Sequence, residues 1–209
     1  MKKKCFFIIC LYLCGLSSFS QVIKVENGIS FTSLNKLADK TIYPYQLSVG
    51  VEYMDKGRFN LSTNVGYLRK GGRSSIIIAD YQGMPLTPDN WKLYVDYLTF
   101  NTTFDVKYTF REGGCVFIGA GPRVDFKINT NDFFDYFSED FGKTLSLNDV
   151  ILGMKLTCGY RYSLNERIQL GLNVAYLPSF TKISKLKIGE DSLWDKTFTC
   201  GLSLGYKLK

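Results

Sequence analysis

The sequence predicts an all-β protein, an antiparallel up-and-down transmembrane β-barrel of about eight strands. Three observations predict it. Apolar and polar residues alternate with period two through most of the chain after residue 21, with no long helical period. The connections between the alternating runs are short and long by turns. Glycines and charges gather on one parity of the runs, while aromatics gather on the other.

The chain opens on a different pattern. Lys2, Lys3 and Lys4 precede an uncharged stretch from Cys5 to Leu16, followed by Ser17, Ser18, Phe19, Ser20 and Gln21. This is the layout of a secretory signal peptide cleaved between Ser20 and Gln21. Twelve residues of helix would reach only about 18 Å, against a hydrocarbon core of roughly 30 Å, so a membrane anchor is excluded. The expected division is a signal peptide over residues 1–20 and a barrel domain over residues 21–209. Cleavage removes three lysines from a net charge of +7. The remaining basic balance is mild and unclustered, which argues against a nucleic-acid partner.

Strands are expected near 23–34, 43–54, 58–69, 95–110, 115–128, 149–162, 167–178 and 196–208. The last is the plainest: Phe198, Cys200, Leu202, Leu204, Tyr206 and Leu208 share one face, and Thr197, Thr199, Gly201, Ser203, Gly205 and Lys207 the other. Successive strand side chains point to opposite sheet faces, so each run has one apolar face and one polar or glycine face. Asp55-Lys56-Gly57, Arg111-Glu112-Gly113-Gly114 and Ser163-Leu164-Asn165-Glu166 are turn-forming sequences. Lys70 to Tyr94, Asn129 to Asn148 and Ser179 to Asp195 read as long loops, and Asn35 to Ile42 as an intermediate connection. In a meander this places the short turns at one end and the long loops at the other. Periplasmic turns and extracellular loops of an outer-membrane barrel have that anatomy.

The polar parity is assigned to the lumen. It carries Glu52, Asp105, Lys107, Arg123, Asp125, Lys155 and Arg161, expected to form an interlocked charge network. Glu52, Lys107 and Arg161 lie nearest the short turns, Asp105 and Lys155 one layer higher, and Arg123 and Asp125 higher still. Gly50, Gly66, Gly119, Gly121, Gly153, Gly159, Gly171, Gly201 and Gly205 share that parity and leave room inside a narrow barrel. Tyr53, Phe59, Tyr108, Phe110, Tyr160, Tyr162 and Tyr206 mark one aromatic belt on the apolar parity. Tyr45, Tyr67, Phe126, Tyr176 and Phe198 mark the other. A soluble periplasmic ligand-binding barrel would instead have its apolar face inward.

Catalytic chemistry finds little support. There is no histidine, which excludes His-based triads, His metal ligands and imidazole bases. Cys115, Cys158 and Cys200, the cysteines that follow the signal, are widely spaced and odd in number, so no disulfide framework is expected. Gly119-Ala120-Gly121-Pro122 sits inside a strand and opens no helix, unlike a nucleotide fingerprint. The acidic pairs Glu139-Asp140 and Glu190-Asp191 read as solvated loop residues. Phe133, Phe134, Tyr136, Phe137 and Phe141 crowd one loop, which either folds over the rim or offers an apolar patch to a partner. No enzyme activity, cofactor or metal is expected. The chain reads as an outer-membrane interaction or structural protein, with a small-solute channel or a soluble periplasmic ligand-binding barrel as the alternatives.

Several segments carry a family resemblance. Ser18-Phe19-Ser20-Gln21 is similar to signal endings of Bacteroidota outer-membrane proteins. Tyr97-Leu98, Lys107-Tyr108 and Phe117-Ile118-Gly119-Ala120-Gly121-Pro122 resemble the PorT-like family of small outer-membrane barrels. That resemblance implies outer-membrane lipid as surroundings and a secretion-associated role, with other envelope or secretion proteins as partners. Thr199, Gly201, Leu204 and Tyr206 are similar to the last-strand signal that the barrel-assembly machinery reads.

Overall fold

The computed structural model describes residues 22–35, 38–74, 82, 91–110, 113–131, 147–183 and 194–208. The signal segment with Ser20 and Gln21, both acidic loop pairs, and the aromatic loop cluster from Phe133 to Phe141 lie outside the described residues. Within them are nine strands: β1 (Val22–Leu34), β2 (Ala38–Ile42), β3 (Tyr45–Lys56), β4 (Phe59–Arg73), β5 (Lys92–Thr109), β6 (Gly114–Thr130), β7 (Val150–Ser163), β8 (Ile168–Tyr176) and β9 (Asp195–Lys207).

All pairings are antiparallel, and the sheet closes on itself. The closing seam joins β1 to β9 from Val22↔Lys207 to Leu34↔Asp195. Closure removes both sheet edges. Strands β2 and β3 are two halves of one wall strand, interrupted at Tyr43-Pro44. Pro44 has no N–H to donate. Its carbonyl still accepts from the Ser30 backbone N–H at 2.8 Å and from the Ser30 hydroxyl at 3.2 Å, so the junction with β1 stays bonded. The ring therefore has eight wall positions.

The short turns lie together at the end where Val22 and Lys207 stand. Gly57 at φ 62° and Gly113 at φ 84° occupy left-handed conformations that side chains rarely adopt. The third turn is held by the Asn165 side-chain oxygen, which accepts from the backbone N–H groups of Arg167 and Ile168.

Four differences from the sequence reading concern strand ends, one being that Asn129 and Thr130, read as the start of a long loop, close β6. Ala38–Ile42 is strand rather than connection, paired with β1 and, through Lys40, with Arg73 of β4. Strand β4 continues to Arg73 and β5 begins at Lys92, pairing across a stretch the sequence assigns to a loop. Asp195 belongs to β9. In each place the period-two pattern fails to announce the strand, and β5 shows why.

Along β5 the hydropathy inverts. Thr99, Asn101, Thr103 and Asp105 are buried toward the lumen, while Leu98, Phe100, Phe104, Val106 and Tyr108 are exposed on the outer wall. Above Leu98 the inner positions become apolar: Leu93, Val95 and Tyr97 are buried. The outer positions become Lys92, Tyr94 and Asp96. A wall in lipid needs an apolar outside; a wall in water needs an apolar inside. The inversion marks where the wall leaves the bilayer. From Leu98 to Tyr108, at about 3.3 Å per residue and a tilt near 40°, the strand climbs about 25 Å, the height of a lipid-facing band.

The outer band elsewhere is equally apolar, with Ile23, Val25, Ile29, Val49, Ile118, Leu152, Leu172, Leu202 and Leu204 all exposed. The soluble-barrel arrangement, apolar side inward, is thereby excluded for this band. Of the expected belt aromatics, Tyr53 differs. It is buried along the wall, its hydroxyl 3.0 Å from that of Thr63.

Candidate functional site

The lumen holds two ion-pair networks, one above the other. In the lower one, Arg161 joins Glu52 at 2.8 Å and Asp105 at 3.4 Å. Lys24 joins Glu26 at 3.0 Å and Glu52 at 3.3 Å, and Lys155 reaches Glu26 at 3.4 Å. The Asn60 amide donates to Glu52 at 2.9 Å, and the Arg161 guanidinium lies 4.0 Å from the Phe117 ring centroid. Lys24, Lys155 and Arg161 balance Glu26, Glu52 and Asp105, so this network is neutral as a unit. That is the condition for keeping charge away from water at bearable cost.

The upper network is smaller and drier. Lys70, with no exposed surface, bridges Asp125 and Asp195, each at 2.9 Å. Arg123 approaches Asp125 at 3.1 Å. Lys70 and Arg123 also donate to the Ser179 hydroxyl, at 3.2 and 3.0 Å. Ser179 is brought in by the chain after β8, which bridges to Gly153 of β7. Thr197 donates to Asp195, completing a network of two cations and two anions.

Glycines on adjacent strands make room for these side chains. In ladder register, Lys24 faces Gly50 and Gly205, Asp105 faces Gly119, Lys155 faces Gly121, Arg123 faces Gly153, and Arg161 faces Gly171. A Cβ on Gly119 would strike the Asp105 carboxylate. One on Gly153 would strike the Arg123 guanidinium and the Pro178 carbonyl.

Above the charges sits an apolar lid. Leu34, Ala38, Trp91, Leu93, Val95, Tyr97, Ile151 and Ile183 form one buried cluster, with Leu147 packed against it. Between the two networks is a small cavity lined by Glu26, Asn101, Arg123, Lys155 and Thr199 among others. The turn end opens into a polar vestibule of about 200 Å³, lined by Glu52, Lys107, Arg161 and Lys207 among others.

The structure brings Glu52, Asp105 and Arg161 together and places Arg123 beside Asp125. It does not join Asp105 to Lys155, although both were expected in one layer. Strand tilt puts residues equally far from their turns on different sides and heights of the wall, and Arg161 reaches up to Asp105 instead. Lys107 is half-exposed and lines the vestibule. Sequence reasoning missed Lys24, Glu26, Lys70 and Asp195. The first two carried a usable signal, since Val22, Lys24, Glu26, Ser30 and Thr32 alternate with Ile23, Val25, Ile29 and Phe31. The other two fell in segments read as loops. On β9, Thr199 and Gly201 face the lumen while Leu204 and Tyr206 are exposed outside, beside the closing seam. Cys115, Cys158 and Cys200 are free thiols.

No protein-family model matches the chain, and no curated protein sequence matches it. Solved structures do resemble it. The Neisserial surface protein A structure aligns at a TM-score of 0.60 and 8% identity, covering 90% of this chain and 97% of that one. OprG from Pseudomonas aeruginosa aligns at 0.57 and 12%, covering 90% and 96%. The attachment invasion locus protein Ail of Yersinia pestis, solved with the heparin analogue sucrose octasulfate, aligns at 0.50 and 12%, covering 91% and 99%. The closed ring, the apolar outer band and these likenesses define the class: a small antiparallel β-barrel with the fold of outer-membrane proteins.

Proposed function

We propose that this chain is a non-enzymatic, non-conducting barrel of the outer membrane, and that its role is structural or interactive. The observation that carries this reading is the filled lumen. Two neutral ion-pair networks and an apolar lid occupy the axis, with a small cavity between them. A solute path would require separating several buried ion pairs, leaving their charges uncompensated inside the barrel. With the interior spent on stability, the surfaces left for recognition are the rims and the connections they carry.

Membership of the PorT-like group, a secretion-associated role and envelope proteins as partners are part of the same proposal, supported by the motifs of β5 and β6. Recognition of β9 by the assembly machinery, through Thr199, Gly201, Leu204 and Tyr206, is likewise supported by their place at the closing seam.

Conductance tests the central claim. Purified barrel reconstituted in a planar bilayer should give no steady current in molar salt. A stable ohmic step would favour the small-solute channel.

A further inference from the structure

The positive charge of the chain is concentrated at one end of the barrel. With Lys2, Lys3 and Lys4 of the signal segment set aside, the net charge of +7 falls by three. The two lumen networks are neutral. Segments 55–58, 107–112, 164–167 and 207–209, all at the turn end, carry seven Lys and Arg against three Asp and Glu. That difference is the whole remaining excess, so the rest of the chain is balanced. The turn end is the cationic face of the molecule.

One of these cations stands at the foot of an apolar trough on the outer wall. Arg58, in the turn between β3 and β4, is exposed. Its carbonyl accepts from the Lys107 backbone N–H at 2.8 Å, which fixes it beside the lower end of β5. A groove there is lined by Arg58, Lys107, Tyr108, Val106, Val116 and Ile118. A second groove meets it at Val106 and Ile118 and continues up the wall over Ala120 and Cys158. The ladder explains the recess. Ala120 lies in one row between Phe104 and Leu156, and Cys158 in the next between Ile118 and Val174. Two small side chains thus stand where their outward-facing neighbours are large. Aromatic pairs bound the hollow, Phe104 stacked on Phe59 at 5.4 Å and Tyr176 stacked on Phe198 at 4.6 Å. From Val116 to Ala120 the trough follows β6 for about 13 Å.

Depth says what fills it. Tyr108 is the lowest residue of the apolar band on β5, and Arg58 lies beside it, at the turn-side surface of the bilayer. Lipid phosphates sit at that level, with acyl chains along the wall above. A cation near an anionic lipid surface raises occupancy about fivefold. A soluble polyanion would be served by the charge alone, and any acyl chain by the trough alone. Their junction fits a molecule that is anionic at one end and aliphatic at the other.

We propose that Arg58, with the trough from Val106 and Ile118 to Ala120 and Cys158, binds an anionic phospholipid of the periplasmic leaflet. The proposal rests on the reading of the wall as embedded in the outer membrane, and the two can fail separately. Membrane fractionation and heat-modifiability report on the barrel. Headgroup selectivity of the purified barrel reports on the site.

The test is native mass spectrometry of detergent-solubilised barrel given equal amounts of phosphatidylglycerol and phosphatidylcholine with the same acyl chains. The wild type should retain phosphatidylglycerol at least fivefold over phosphatidylcholine. Arg58→Gln should lose most of that preference. Ala120→Phe/Cys158→Phe fills the trough without touching a charge and should lower retention of both lipids severalfold. Lys40→Gln, which removes an exposed cation at the other end, should change neither. All variants should remain heat-modifiable. An unchanged preference in Arg58→Gln, or unchanged retention in the filled trough, would overturn the proposal. Displacement of the lipid by an equal concentration of glycerophosphoglycerol, the headgroup without chains, would reassign the site to a soluble anion. Displacement by polyglutamate would reassign it to an acidic protein segment. Either result overturns the lipid reading. Should Arg58→Gln fail to fold, cross-linking of the wild type decides. Phosphatidylglycerol with a diazirine in its acyl chain should label residues 116–120 or 156–158 in preference to 47–51 of β3, and even labelling would count against the site.

Discussion

Arg161 crosses the barrel to meet Glu52, Nη1 to Oε2 at 2.8 Å. Their strands, β7 and β3, stand on opposite sides of the ring and share no backbone hydrogen bonds. The pair is a strut between two walls that the sheet connects only the long way round. Both side chains are nearly buried, and each has further partners, Asp105 for Arg161 and Lys24 and Asn60 for Glu52.

Removing one end of the strut should therefore cost more than a surface ion pair would. Arg161→Ala leaves Glu52 and Asp105 short of a cation and should destabilise the barrel by about 3–5 kcal/mol. Urea unfolding in phospholipid vesicles reads this directly. In a double-mutant cycle with Glu52→Gln and Arg161→Gln, the coupling should exceed about 1 kcal/mol. Additive single effects would mean the two groups do not meet.

The glycine register makes a second, steric prediction. Gly119→Ala and Gly153→Ala each drive a methyl group into a lumen charge, Asp105 or Arg123, and at Gly153 also into a backbone carbonyl. Overpacking of this kind costs about 1–3 kcal/mol. Gly205→Ala is the comparison: its nearest neighbour is the Val22 side chain at 3.0 Å, with the rest beyond 3.5 Å. It should cost clearly less. Equal unfolding midpoints for all three variants would show that the lumen is looser than the structure describes.

Much of this architecture was legible in the sequence, and the exceptions share a cause. Period-two alternation reveals a strand only where the two faces differ in the expected sense. It worked along most of β6 to β9 because lipid and lumen impose opposite demands there, and failed only at their upper ends, where Asp195 was read as loop. It faltered on β4 and β5 because the demands exchange sides near Tyr97. A run such as Leu93-Tyr94-Val95-Asp96-Tyr97 then looks irregular, and Lys70 falls into an apparent loop. Long-range partners were out of reach for a different reason. Parity says that Asp105 and Lys155 both point inward, but only tilt and shear decide that Arg161 meets Asp105 and that Lys155 meets Glu26.

Sidedness gives a third prediction. The tight turn carrying Gly113 lies at the same end as Val22 and Lys207, and the segments 75–90 and 184–193 connect strands at the other. A protease site inserted in either long segment should be cut on intact cells. One inserted at Arg111–Gly114 should be cut only after the outer membrane is opened. The reverse pattern would turn the barrel over in the membrane.

Lys70 offers the sharpest probe of the lumen. It has no exposed surface and carries the positive charge between Asp125 and Asp195. Lys70→Met keeps most of the volume but leaves two buried carboxylates with Arg123 as their remaining cation. It should destabilise the barrel by about 3–5 kcal/mol. Adding Asp195→Asn restores neutrality, because Arg123 and Asp125 still balance, and should recover most of that loss. Packing and charge are thus separated: a double variant as unstable as the single would assign the loss to the lysine's shape. A single variant as stable as the wild type would mean that water reaches the upper network. The axis would then be open where the structure closes it, and a steady current in the planar bilayer should accompany that result.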